Sequence, residues 1–329
     1  MKMPLKILHV TNAYPTSNIP IYGIFIKEQI ASLAETGIQS DIFFINAREK
    51  GKLEYIRAFF RLRKLLKQYD LVHCHHVYSA LVVLLLMPDK KVIVSFLSDG
   101  LKEMGKVLPF LRRIIYNFII KRSFARIFKK GIPKKFAGDP YSFYLPNGVN
   151  TDFFCPMDKV QVKKELNLDL SKKYLLFVSF YNLHRKEKRY DIYKKVVDLL
   201  RSKYNLPMVE ELLMVDVPRE NAALYFNASD IHLLVSDYEG SPNSVKESLS
   251  CNIPVLSTNV GNVNDIISKT DFCHIADSNN PEKLAKEAYR LLTDEKKGMD
   301  LRKIIFDKGM DMRSTAQKLK NIYISVLNK

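Results

Sequence analysis

Tryptophan is absent from this 329-residue chain, and cysteine is scarce, with Cys74, Cys155, Cys251 and Cys273 standing far apart. That scatter offers neither a disulfide framework nor a zinc knuckle, and a reducing cytoplasm is the simplest setting for it. Twelve glycines and fourteen prolines are too dispersed to form a low-complexity linker. No apolar run approaches the roughly 20 residues that a spanning helix needs; the longest covers residues 77–87. The opening MKMPLKILHV has too short an apolar segment for a secretory signal and runs straight into a plausible strand, so a soluble or peripheral protein is expected. Negative charge is short in the first half only: residues 1–150 hold 24 Lys and Arg against 10 Asp and Glu, and residues 151–329 hold 28 against 25. The basicity of a chain with net charge +17 therefore belongs to its first half. With 47% hydrophobic residues, a chain of this length is expected to build two α/β cores of about 150 residues each.

What is present is organised around residues 231–265, IHLLVSDYEGSPNSVKESLSCNIPVLSTNVGNVND. Ile231 to Val235 reads as a buried parallel strand, and Asp237 to Ser241 as a polar, glycine-containing break. Pro242 stands where helices begin, Cys251-Asn252 ends the helix, and Ile253 to Ser257 reads as the next strand. Two carboxylates bracket the helix start. Glu239 precedes it, and Glu247 lies five residues beyond Pro242, about 7 Å along the axis. Amides in the first turn, at Asn243, Ser244 and Val245, have no acceptor inside a helix and make that end an anion site. The spacing suggests one ligand held in three places, with a diphosphate at the helix tip and a hydroxylated ring beside each glutamate. That is the outline of a nucleotide sugar. Two glutamates eight apart in a chain 26% charged also arise without function, Glu247 then being a solvated helix residue.

EGSPNSVKE, followed by an apolar helix and NIPVLSTNVGN, resembles the E-x7-E signature of retaining glycosyltransferases of family 4. The resemblance implies the GT-B fold: two doubly wound Rossmann-like α/β domains facing across a cleft, with a final helix crossing back. The expected division is residues 1–150 for acceptor and membrane, 151–310 for the nucleotide sugar, and 311–329 for that helix. LPNGVNTDFFCP, with turn chemistry at Asn147-Gly148 and Pro156, matches the family's boundary motif. The resemblance further implies that Glu239 faces the donor sugar and Glu247 the ribose. It assigns donor binding to Gly23, Gly240, Ser241, Asn243, Ser244, Val245 and Glu247. Gly23 opens the helix GIFIKEQIASLAETG, where family members often carry two adjacent glycines; a plain helix-cap glycine reads equally well. Where the family has a His-Gly-Ser-Asp-like turn, this chain has Phe96-Leu97-Ser98-Asp99, so only Asp99, with Ser98, carries over.

The loop YNLHRKEKR gathers Arg185, Lys186, Lys188 and Arg189 after the strand 173–180. Fixed cations there stabilise a departing diphosphate. The resemblance points to Arg185 and Lys188 as the pyrophosphate pair, the alternative being a solvated charge run. DLVHCHH, residues 70–76, reads as a strand in which His73 and His75 share one face and Cys74 and His76 the other, so that one strand cannot converge four ligands and no metal is expected. His75, near a strand end, is a candidate for lining the cleft. From Met104 to Gly138 there are ten Lys and Arg and no acidic residue, interleaved with Phe110, Ile114, Ile115, Phe118, Ile119, Phe124 and Phe128. A basic amphipathic helix over residues 106–135 suits an anionic membrane surface; a core helix with a solvated back is the plainer alternative. No nucleic-acid motif accompanies it, so no nucleic-acid partner is expected.

Together with its resemblance to family 4, the sequence predicts a metal-independent, retaining glycosyltransferase without a cofactor, in the cytoplasm and peripheral to the inner face of the cell membrane. Its donor is a nucleotide diphosphate sugar, UDP-sugar favoured, and its acceptor a lipid-linked glycan in surface polysaccharide assembly. The catalytic set is Glu239, Arg185, Lys188 and Asp99. Two rivals stand beside it: a nucleotide-sugar epimerase on the same architecture, and a non-catalytic membrane-associated protein with a degenerate donor site.

Overall fold

The computed structural model describes residues 5–86, 91–98, 100–101, 104–105, 107–268 and 270–328. The expected site residue Asp99 lies outside them, as does Lys106. The chain forms two compact units, residues 1–148 with 312–329, and residues 149–311.

In the first unit, six parallel strands lie in the order β2-β1-β3-β4-β5-β6: β1 (Lys6–Thr11), β2 (Gln39–Phe44), β3 (Leu71–His75), β4 (Val92–Phe96), β5 (Ala125–Phe128) and β6 (Ser142–Tyr144). The helices between them are α1 (Ile24–Ala34), α2 (Ala47–Lys50), α3 (Leu53–Leu65), α4 (Val77–Leu86) and α5 (Pro109–Arg122). The last helix of the chain, α13 (Met312–Leu327), completes this unit. Strands β3 and β4 are buried throughout and β1 from Ile7 onward, as a sheet covered on both sides requires. Leu8, Val10, Val72, Cys74 and Val94 pack under α3, α4 and α5, which contribute Ala58, Leu62, Val83 and Ile119. Ile7, Leu71, Ile93 and Ile127 on the other face meet Leu33 of α1 and Leu319 and Tyr323 of α13. Two lysines staple α13 in place, Lys91 Nζ donating to the Leu327 carbonyl at 2.9 Å and Lys320 Nζ to that of Thr36 at 2.6 Å.

The basic segment is not one helix over 106–135. Helix α5 stops at Arg122, Ser123 turns extended, and Ala125–Phe128 becomes β5, paired with β4 and β6. Phe124 and Phe128 are four apart, which suits a helix. The alternation that buries Ala125 and Ile127 on one face of the sheet and Phe128 on the other is the period that prevails.

The second unit holds five parallel strands in the order β11-β10-β9-β7-β8: β7 (Lys173–Ser179), β8 (Val209–Val215), β9 (Ile231–Leu234), β10 (Val255–Thr258) and β11 (His274–Ala276). Its helices are α6 (Lys159–Glu165), α7 (Tyr190–Ser202), α8 (Ala222–Ala228), α9 (Asn243–Ser250), α10 (Val263–Ile267), α11 (Pro281–Thr293) and α12 (Arg302–Asp307). β7 and β9 are neighbours, so the loops leaving their carboxyl ends emerge side by side. That is where an open parallel sheet presents a ligand site.

Candidate active site

Those two loops are tied together. The Asp237 amide donates to the Glu187 carbonyl at 2.8 Å, and Arg189 reaches Asp237 Oδ1 at 3.1 Å. Lys188, in the short turn Lys186–Lys188, places its ammonium 2.6 Å from Glu239 Oε1, with both side chains mostly covered. Arg189 closes the turn in the left-handed region at φ 56, its guanidinium forked onto Asp191. Arg185 points to Glu187, bonding Oε1 through Nε at 2.8 Å and Nη2 at 2.5 Å. The expected cation and the expected sugar-facing carboxylate are therefore a direct ion pair, and the second cation sits three residues away in the same loop.

Helix α9 starts at Asn243 with Pro242 as its cap, extended at ψ 116, so the proline stands one position earlier than the first helical turn. The turn is anchored from beneath. His232 on β9 shares a hydrogen bond with Ser244 Oγ at 3.0 Å through Nε2 and meets the Leu176 carbonyl at 3.2 Å through Nδ1. Burial pushes His232 down to about 4, so the helix tip rests on a neutral imidazole. Lys246, fully buried, turns back and donates to Ser241 Oγ at 3.1 Å. Gly240 and Ser241 thus lie between Glu239 and the helix amino end.

Glu247 is not a solvated residue: it is 4% exposed and receives Arg219 Nη1 on Oε1 at 2.8 Å. The Arg219 guanidinium lies 4.6 Å over the Phe154 ring, which fixes the pair. Sequence reasoning missed Arg219, His232 and Lys246. Arg219 and His232 come beside and beneath α9 only through the fold, and Lys246 lies on α9 itself with its side chain turned inward. Sequence reasoning also missed Gly261, which at φ +60 crosses directly over Gly240.

In the first unit, Gly23 caps α1 in the left-handed region, and a Cβ there would stand 2.3 Å from the Ala13 carbonyl oxygen. Its first requirement is thus a close backbone crossing. His75 is fully buried, because β1 runs beside β3 and α13 covers that face. The reasoning that β3 alone cannot converge ligands overlooked His9 on β1, which enters beside His73 and His75 with one nitrogen from each within 4.8 Å of the others. These nitrogens are engaged in a hydrogen-bonded cluster: His9 with His75 at 3.1 Å, and His73 with Tyr323 Oη at 2.7 Å and Ser95 Oγ at 2.8 Å.

Residues 194–307 match the family model for glycosyl transferases group 1, a segment that includes Glu239 and Glu247 and excludes Arg185 and Lys188. The chain is 21% identical to the putative teichuronic acid biosynthesis glycosyltransferase TuaC of Bacillus subtilis, over 80% of this chain and 84% of that protein. It is 23% identical to the N-acetyl-alpha-D-glucosaminyl L-malate synthase of Bacillus anthracis over 55% of this chain, and there it spans about half, 53%, of the relative's length. Among solved structures, sucrose-phosphate synthase from Thermosynechococcus elongatus superposes with a TM-score of 0.75 at 16% identity, covering 98% of this chain and 99% of that one. Anabaena HepE, solved with UDP, superposes with a TM-score of 0.72 at 12% identity, covering 98% and 100%. The fold is GT-B, and the matched segment supports a glycosyltransferase.

Proposed function

We propose that this protein is a retaining, metal-independent glycosyltransferase that moves a sugar from a nucleotide diphosphate donor to an acceptor hydroxyl. The observation that carries the reading is the Lys188–Glu239 ion pair, held at 2.6 Å immediately before the amino end of α9. As the glycosidic bond breaks, negative charge collects on the departing diphosphate. Lys188, Arg185 and the first turn of α9 at Asn243, Ser244 and Val245 offset that charge, so the chemistry asks for no metal ion. Glu239 faces the sugar, with Gly240 and Ser241 beside it, and Glu247 receives the ribose hydroxyls while Arg219 fixes its carboxylate. Attack comes on the face from which the phosphate leaves: the new C–O bond forms as the old one breaks, and the phosphate oxygen takes the acceptor's proton. The configuration at the anomeric carbon is thereby kept. A UDP-sugar is favoured, in keeping with HepE structures holding UDP and UDP-glucose.

The acceptor is a glycan on a lipid carrier, a reading supported by the teichuronic acid role in the name of TuaC and by the surface of the first unit. Among the described residues no helix is long and apolar enough to cross a membrane. Helix α5 instead exposes Phe110, Leu111 and Ile114 among Arg113, Lys121 and Arg122. Helix α3, on the same face of the sheet, exposes Leu53, Ile56 and Phe60 beside Arg57, Arg61 and Lys64. Apolar side chains rimmed by cations suit an anionic bilayer, which supports a peripheral position on the inner face. The test is a thermal-shift panel of UDP, GDP, ADP and CDP sugars, followed by NMR of the product anomer with and without chelator. Stabilisation by one donor and a retained anomer in chelator are expected. No response to any donor overturns the reading, and an inverted anomer or loss of turnover in chelator overturns its mechanism.

A further inference from the structure

The layer between the first unit's sheet and helices α1 and α13 is polar where such a layer is normally apolar. His9, His73, His75 and Ser95 point into it from adjacent strands, and Lys129 follows Ile127 on the same face as β5 ends. Most of the layer is satisfied. Ser40 Oγ meets His9 Nε2 at 3.3 Å, His9 Nδ1 meets His75 Nε2 at 3.1 Å, and His73 is held between Tyr323 and Ser95. Four polar atoms are left without a partner: His75 Nδ1, Lys129 Nζ, and both the amide nitrogen and oxygen of Gln29. All three side chains are buried, Lys129 to 1% exposure, His75 to 0% and Gln29 to 5%. Gln29 lies between Ile26 and Ile30 of α1, which pack with Leu97, the residue that follows Ser95 on this face.

A buried donor without an acceptor costs on the order of 1–3 kcal/mol, and a charged one costs more. Two of these groups, His75 and Lys129, stand at the carboxyl ends of β3 and β5, the end of such a sheet where ligands enter, and Gln29 stands on α1. Burial is the main cause that lowers His73 and His75, and the charge of nearby Lys129 adds to it. A cation is excluded on the same observations, since the nitrogens of His9 and His73 are taken and an ammonium stands beside them. An anion meets the opposite reception. When His9 Nδ1 is the donor to His75 Nε2, the proton of His75 lies on the unpartnered Nδ1, so an ammonium, an imidazole N–H and a carboxamide N–H are all buried in this layer without an acceptor.

We infer that Lys129, His75 and Gln29 form an oxyanion site in the first unit, which holds a carboxylate or phosphate of the acceptor. Its assignment to the acceptor rests on the glycosyl-transfer reading; the anion site itself does not. Burial holds the unliganded Lys129 down to about 7, so an anion that restores its charge takes up a proton on binding.

The experiment uses the full-length protein in an Arg185→Ala, Lys188→Ala background, which silences the proposed donor cations. Inorganic phosphate and glucuronate are titrated by calorimetry in buffers of different ionisation enthalpy. One anion site with net proton uptake is expected, and Lys129→Met lowers its affinity by about tenfold or more. Gln29→Leu, which leaves the charge in place, weakens it less, and either substitution on the otherwise native chain leaves UDP affinity unchanged. The tighter of the two probes identifies the acceptor group as phosphate or carboxylate. Unchanged anion affinity in both variants overturns the site, as does a crystal structure in phosphate with water alone on Lys129 Nζ and His75 Nδ1. Failure of UDP to bind the native protein strikes the donor reading and leaves this result standing.

Discussion

A Cβ on Gly261 would stand 2.5 Å from the carbonyl oxygen of Gly240, so the loop after β10 passes over the loop that carries Glu239 with no room for a side chain. Gly261 also sits at φ +60, where an L side chain is strained by roughly 1–2 kcal/mol. Gly261→Ala is expected to destabilise the second unit by about 1–3 kcal/mol and to push Glu239 off Lys188. Turnover should fall more than the melting temperature alone predicts. A variant with normal turnover and a normal melting temperature shows that the crossing does not position Glu239.

Lys188 and Arg185 already have carboxylate partners, Glu239 and Glu187, which separates their roles in stability from those in turnover. Lys188→Met strands a mostly covered glutamate, whereas Arg185→Ala breaks a more exposed pair of residues two apart. Lys188→Met should therefore cost both stability and turnover, and Arg185→Ala turnover alone, each lowering kcat by about 10²–10³. The check is single-turnover kinetics beside thermal melts. Near-normal kcat in both variants would remove the pair from the site.

The strands and long helices of this chain were legible because their signals are local. The run 231–235 and the Gly-Ser-Pro break before α9 predict β9 and the loop after it to within a residue or two. What was not legible depends on neighbours distant in sequence. Nothing near DLVHCHH announces that His9, two strands earlier, will stand beside His75, since the order β2-β1-β3 is a property of the whole sheet. Arg219 likewise belongs to Glu247 only because the turn before α8 and helix α9 flank the same core. The short strand β5 was hidden by phenylalanines at a helical interval, a case in which periodicity has two answers and pairing decides.

Arg219 and Glu247 give the third prediction. Glu247→Gln keeps the shape and can still accept from Arg219, so its cost in stability should be small. Its cost in nucleotide affinity should be about 1–2 kcal/mol, because a neutral amide is a weaker acceptor for ribose hydroxyls. Arg219→Ala leaves the carboxylate buried and unpaired, and should destabilise the unit by about 3 kcal/mol or more. Calorimetry with UDP and a chemical melt distinguish the two. Unchanged UDP affinity in Glu247→Gln would end the ribose assignment.

Buried neutral histidines set an acid limit on stability. Burial lowers His9 to about 3 and His232 to about 4, and moves His73 and His75 in the same direction. The unfolded chain protonates these groups near 6.5 while the folded chain does not, so the unfolded state binds more protons as the pH falls. Their contribution is intact above about pH 6.5 and is lost progressively on the way down to the folded values. Each histidine should remove about 1 kcal/mol between pH 6.5 and 5.5. A melting temperature flat across that interval, before ordinary carboxylates titrate, would mean that these imidazoles are not neutral in the fold.

The bilayer reading is tested on both helices, because their contributions separate by salt. Exposed Arg113, Lys121 and Arg122 on α5 act through the surface potential, each worth about 1 kcal/mol near an anionic leaflet and screened as salt rises. Arg112 is left intact, since its Nε donates to the Val107 carbonyl at 2.6 Å and holds the start of the helix. Reversing the other three to Glu should release the protein from phosphatidylserine vesicles at low salt. On α3, Leu53, Ile56 and Phe60 recur at spacings of three and four, and Phe60 is 65% exposed, so together they form a row that enters the interface. Ile56→Ser with Phe60→Ser should lose about 3 kcal/mol of vesicle affinity, a loss that persists at high salt because apolar burial is not screened. Sedimentation with vesicles across a salt series reads both effects. Loss on α5 alone confines contact to that helix, and undiminished sedimentation of both variants refutes the surface.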